Sequence, residues 1–167
     1  MTISQLLRKI SKLKGEVQEQ RARAQAATVY KEKEPPAFSF EDSMCGADRA
    51  VEDLVTFEAA LRRANSLTTV SLAGGKTITL SEATCRLQEL KGRIAWLKTL
   101  PSQAQNKRFV DSVEYDTLAE KPHKVTTTYV CPFPEAMRSS AIRSAQEAFD
   151  SLNDLVETAN HQTVVEL

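Results

Sequence analysis

Two stretches decide the architecture: "TISQLLRKISKLKGEV" at 2–17 and "TLSEATCRLQELKGRI" at 79–94. At an offset of 77 residues Thr2 aligns with Thr79, Ser4 with Ser81, and Leu13-Lys14-Gly15 with Leu90-Lys91-Gly92. Ile3/Leu80, Gln5/Glu82, Lys9/Arg86, Ile10/Leu87 and Val17/Ile94 are conservative pairs. Further on, "ANSLTTVSL" (64–72) and "ANHQTVVEL" (159–167) both read A-N-x-x-T-x-V-x-L at an offset of 95. Phe38/Phe133, Ala50/Ala145, Leu54/Phe149, Phe57/Leu152 and Leu61/Val156 fall in that same register. Chance similarity of amphipathic helices accounts for shared apolar spacing, but not for Thr, Ser, Lys-Gly and Ala-Asn at matching special positions. Internal repeats set the fold before any motif is read. The pattern predicts one domain over 1–167: repeat one at 2–72, a Gly-Gly junction at 73–78, and repeat two at 79–167.

Each half reads as helix, connector, helix, short strand. Leu6, Ile10, Leu13, Val17, Gln20, Ala24 and Ala27 alternate spacings of four and three, a heptad seam on a first helix over 2–28. Pro35-Pro36 ends it. A second helix runs from about Ser39 or Asp42 to Ala64, with Met44, Ala47, Val51, Leu54 and Leu61 along its seam. Ser81 is the expected N-cap of a third helix that stops at Leu100-Pro101, and Pro134 opens a fourth. Asn65 and Asn160 are expected to close helices two and four in the left-handed conformation. Between helices three and four, "RFVDSVEY" (108–115) and "KVTTTYV" (124–130) are rich in β-branched and aromatic residues. They predict a two-stranded arm inserted at about 107–131, which makes the second half 18 residues longer. The expected fold is α+β and mainly α: two pseudo-repeated helical hairpins forming an antiparallel four-helix bundle, with a β-arm and short terminal strands brought close together. Residues 1–33 hold eight basic and three acidic residues, and 41–60 one basic and six acidic, which favours pairing of the first two helices.

Bulk composition excludes several classes. The 167 residues carry 22 basic and 22 acidic side chains, so there is no basic excess of the kind a nucleic-acid or anionic-membrane binder uses. The basic first helix, with Arg8, Lys12 and Arg21, has an acidic helix as its ready partner instead. No apolar run reaches the roughly 18 residues of a membrane span, and "MTISQLLRKISKLKG" lacks the apolar core of a signal peptide. Three cysteines without C-x-x-C spacing fit reduced thiols in the cytoplasm.

The stretch "AGGKTITLSEAT" (73–84) carries the tail of a phosphate-binding loop. Such a loop needs G-x-x-x-x-G-K-[ST] leading directly into a helix, because backbone amides and the helix N-terminus hold the phosphates. Val70 stands where the first glycine belongs, and "TITL" after Lys76 is extended. Gly74-Gly75 therefore reads as the tight turn between the repeats. Cys45, Cys85, Cys131, His123 and His161 show no metal-ligand spacing. No serine or threonine sits on a nucleophile elbow, and Asp111, Glu114 and Asp116 on the arm read as charges protecting a sheet edge. No catalytic residue, metal or cofactor is expected. The one inter-repeat polar grouping is Asn65, Thr68, Asn160 and Thr163.

The run "RRANSLTTVSLAGGKTITLSEA" (62–83), the leucine-rich third helix and the terminal "NHQTVVEL" resemble the septicolysin-like family of largely uncharacterised bacterial proteins. The resemblance spans essentially the whole chain on short pieces. It implies no catalytic residues; its haemolysin label implies Cys45, Cys85 or Cys131 as thiol candidates. The residues themselves point to a non-enzymatic, self-associating protein acting through protein contacts, with a homo-oligomer as the expected partner. A haemolysin-like membrane-active protein is one alternative. A ligand or enzymatic site between the repeats, at Asn65, Thr68, Asn160 and Thr163, is the other.

Overall fold

The heptad seam becomes α1 (Ile3–Ala26), on which Ile3, Leu6, Ile10, Leu13, Val17 and Ala24 are buried. Thr2 starts it with a capping box: its hydroxyl accepts from the Gln5 amide (3.3 Å), and the Gln5 side chain accepts from the Thr2 amide (3.0 Å). In this computed structural model the described residues are 1–101, the backbone of 109–116 and of 121–127, and 132–166. The ends of the expected arm, and Cys131, lie outside them.

Ser39 caps α2 (Phe40–Leu67), accepting from the Asp42 amide at 3.2 Å. Glu41 and Asp42 in the first turn favour the positive end of the helix dipole. The buried face of α2 is made of small residues, Ser43, Ala47, Ala50 and Ala60, with Phe57. Met44 is exposed and Val51, Leu54 and Leu61 are only half-buried, so this face is rotated from the expected seam. The reason is a close approach to α1: a Cβ on Gly46 would come within 3.2 Å of the Gln20 side chain. Ser43 satisfies its hydroxyl on the Ser39 carbonyl, 2.8 Å away.

α1 and α2 pack antiparallel. Lys14 pairs with Glu58 at 2.8 Å, Lys9 lies 4.2 Å over the Phe57 ring, and Arg23 lies 4.3 Å over Phe38. Among the described residues the basic side of α1 thus meets α2 through the Lys14–Glu58 ion pair and the Lys9–Phe57 cation–π contact, and meets the connector before α2 through Arg23 and Phe38. Glu41, Asp42, Asp48, Glu52 and Asp53 all remain on the solvent side of α2.

α2 continues past Asn65, and α4 past Asn160, so neither asparagine closes its helix. The C-cap of α2 is Thr68, in extended conformation (φ −77°, ψ 134°), with its amide on the Ala64 carbonyl at 2.9 Å. Thr163 makes the same bond to Ala159 at 2.9 Å beyond the end of α4. Each helix runs on because an extended strand residue follows it directly, and no left-handed turn is needed to redirect the chain.

β1 (Thr69–Ser71) and β2 (Thr77–Thr79) form an antiparallel hairpin in which Val70 pairs with Ile78. Gly74 (φ 91°) and Gly75 (φ 82°) turn it, with the Gly75 amide on the Leu72 carbonyl at 3.1 Å. The left-handed values select glycine at both positions. α3 (Leu80–Thr99) follows immediately, and its cap is Thr79, whose hydroxyl accepts from the Glu82 amide at 3.1 Å. Ser81 is already helical, because the strand leaves no residue between Thr79 and the first turn. β3 (Phe109–Asp116) and β4 (Lys121–Thr127) form a second antiparallel ribbon with a register break between Val110 and Ser112. α4 (Glu135–Gln162) begins directly after Pro134, whose carbonyl accepts from the Arg138 amide at 3.0 Å.

The chain divides into two compact units, Met1–Leu87 with Ser151–Leu167, and Gln88–Asp150, the boundary falling within α3 and α4. The first holds the α1–α2 pair, the β1–β2 hairpin and the end of the chain. In the second, the Arg138 guanidinium donates to the carbonyls of Lys98 (3.2 Å) and Leu100 (3.3 Å), covering the free end of α3. The protein is therefore α+β and mainly α, with four helices among the described residues.

Candidate functional site

The polar grouping singled out in the sequence lies within the first unit, where strands leave α2 and α4. Thr68 and Thr163 are half-buried, as are Asn65 and Asn160 one turn earlier. The backbone of both threonines is already engaged: the Thr68 carbonyl accepts from the Leu80 amide at 2.9 Å, and the Thr163 carbonyl from the Ile3 amide at 3.1 Å. Among the described residues no hydrogen bond joins any two of the four. Thr68 and Thr163 each stand where a helix gives way to an extended segment.

That junction occurs twice in one geometry. Thr2 bridges Val164 antiparallel, as Thr79 pairs with Thr69. Met1 and Val165 exchange both backbone bonds, Val165 amide to Met1 carbonyl at 2.7 Å and the Met1 amine to the Val165 carbonyl at 3.2 Å, as Ile78 pairs with Val70 in the β1–β2 hairpin. Every one of these pairs is related by the offsets of 77 and 95. The opening segment of each half therefore pairs with the closing strand of the other half. Among the described residues the ladder partners of the closing segments are the opening segments: β1 pairs with β2, and Val164 bridges Thr2. Sequence spacing held the signal: T-x-V aligned in both closing strands, but the spacing alone did not reveal the crossed pairing.

Two surface grooves lie among the described residues. One, about 400 Å³, is lined on α4 by Asp154, Glu157, Thr158, His161 and Gln162. The other, about 560 Å³, runs along α1 past Lys12, Gly15, Glu16, Glu19, Gln20 and Arg23. Both are open and solvated, and in the second Glu19 and Arg23 already pair with each other. Glu58 is the one described group whose pKa is clearly displaced. It is lowered first by the hydrogen bond from Lys14 and by the charge of Lys14, against an opposing effect of burial, with a lesser contribution from the charge of Arg62. The ion pair with Lys14 joins α2 to α1. Cys45 and Cys85 are free and exposed. No cluster of three His, Cys, Asp or Glu able to hold a metal occurs among the described residues.

The class defined by this fold is a mainly helical α+β protein with two short antiparallel ribbons, and among the described residues no helix is long and apolar enough to cross a membrane. The chain is similar in fold to a functionally unknown conserved protein from Corynebacterium diphtheriae known from its crystal structure, with a TM-score of 0.76, 15% identity, and coverage of 99% of both chains. No family model and no curated protein matches the sequence.

Proposed function

We propose that this is a non-enzymatic, self-associating protein-interaction module of the septicolysin-like family, built by duplication of a helical hairpin and working in the cytoplasm. The observation that carries self-association is the β3–β4 ribbon. Among the described residues its strands pair only with each other. A ribbon of two strands is marginal in water on its own, and its open edges invite a further strand. Support for duplication comes from the paired junctions and their common offsets. The half that lacks the arm carries the 27–39 connector at the equivalent place, so the arm reads as an addition to one copy for a role the hairpin alone does not fill.

Sedimentation velocity over a range of micromolar concentrations tests the reading. The expected result is a concentration-dependent dimer or higher species, which deletion of 107–131 converts to monomer. A monodisperse monomer of the intact chain throughout that range overturns it.

A further inference from the structure

The two outer edges of the β3–β4 ribbon are not equivalent. β4 carries Pro122, opposite Tyr115. Proline has no N–H, so a ladder accommodates it where no donor is asked of it, with its nitrogen on the outer side. Backbone groups alternate sides along a strand. Lys124 then also presents its backbone outward on β4, and its register partner Val113 does so on β3. The outer edge of β4 therefore lacks a donor where an added strand needs one. β3, from Phe109 to Asp116, contains no proline.

We infer that the outer edge of β3 is the self-association surface, pairing antiparallel with β3 of a second copy about a twofold axis at Val113. This rests on the self-association reading above and names its surface. The product is a four-stranded sheet in the order β4-β3-β3-β4. Charge selects the register, since like charges directly opposite destabilise a pair. Centring on Asp111 or Glu114 sets an acidic residue against itself, and centring on Tyr115 opposes Glu114 and Asp116. Centring on Ser112 sets Asp111, the extra residue at the register break, against Val113 in the middle of the ladder. With the axis at Val113, Asp111 meets Tyr115, Glu114 meets Ser112 and Asp116 meets Val110. Such a contact is isologous and closes at two copies, leaving as outer edges only the proline-bearing strands.

Sedimentation of the full chain with Val113→Pro and, separately, Lys124→Pro tests the surface. The two positions face each other and both present their backbone outward, so each proline spares the ribbon's own ladder to the same degree. Val113→Pro is expected to raise the dissociation constant about tenfold or more, the loss of at least one well-placed interaction, while Lys124→Pro associates like the parent. If the parent associates and both variants match it, or both weaken alike, the β3 edge is overturned and self-association stands. A monomeric parent overturns both. As a second measurement that does not depend on proline tolerance, Val113→Cys with Cys45, Cys85 and Cys131 changed to Ser should form a disulfide-linked dimer on oxidation, and Lys124→Cys should not. Absence of the Val113→Cys cross-link in a chain that still associates also overturns the edge.

Discussion

The backbone amide of Ile3 donates to the carbonyl of Thr163 at 3.1 Å, fastening the end of the chain onto the first turn of α1. Leu80 donates to Thr68 in the same way at 2.9 Å. One of these junctions is joined by the Gly74-Gly75 turn; the other is held by hydrogen bonds and packing alone. Beneath each junction lie the side chains that follow the same offsets, Ile3 with Val165 and Leu80 with Val70, all of them buried.

That equivalence predicts equal costs for equivalent losses. Val70→Ala and Val165→Ala each remove two buried carbons, and each should destabilise by about 1–3 kcal/mol. Urea unfolding of both variants measures this. A near-neutral Val165→Ala beside a costly Val70→Ala would mean that the terminal junction frays in solution and that its geometry contributes nothing to stability.

The N-cap of α3 is decided by hydrogen bonding, not by residue preference. Thr79 accepts from the Glu82 amide, while Ser81 lies one residue inside the helix and is exposed. Thr79→Ala should cost about 1 kcal/mol, and Ser81→Ala should stay within roughly 0.5 kcal/mol of the parent. Thermal unfolding of the two variants reverses the assignment if Ser81→Ala is the costlier.

Helix number, the α1 seam and the Gly-Gly turn were legible because each rests on a local rule. Heptad spacing placed Leu6, Ile10, Leu13 and Val17 on the buried face of α1, and these are buried. The errors fall where a long-range contact decides. Met44 sits at a seam position by spacing yet is exposed, because the approach of Gln20 to Gly46 turns the small residues of α2 inward. Asn65 and Asn160 suit a left-handed cap, but the strand that follows each helix needs an extended residue instead. The inter-repeat polar grouping was legible as a conspicuous repeat. Its meaning as a crossed strand junction was not, since pairing between residue 2 and residue 164 leaves no local trace.

Gly15 and Gly92 occupy equivalent mid-helix positions in α1 and α3, and a Cβ at either would meet nothing within 4 Å. Glycine inside a helix is less favourable than alanine by roughly 0.5–1 kcal/mol. Gly15→Ala and Gly92→Ala should therefore each stabilise the chain by about that amount, because neither added Cβ meets a neighbour. Differential denaturation of the single and double variants measures it. A destabilised Gly15→Ala would reveal a close neighbour at that face of α1.

Glu58 ties the α1–α2 pair to pH. The Lys14 ammonium, 2.8 Å away, and Arg62 hold its carboxyl below the ordinary value of 4.5 in the folded chain. A carboxylate whose folded pKa lies below its unfolded one binds fewer protons when folded. Its contribution to stability is then fully present above about pH 4.5 and is lost as pH falls through the lower folded value. Exposure of Lys14 keeps the effect small and salt-sensitive. Lys14→Met removes both the hydrogen bond and the larger charge, so the Glu58 carboxyl should titrate nearer its ordinary value, and the acid limb of the stability curve should flatten. A carbon-detected NMR titration of Glu58 in the parent and in Lys14→Met reads the shift directly. An unchanged midpoint would show that the ion pair does not persist in solution, leaving the cation–π contact of Lys9 with Phe57 as the charged link between the two helices.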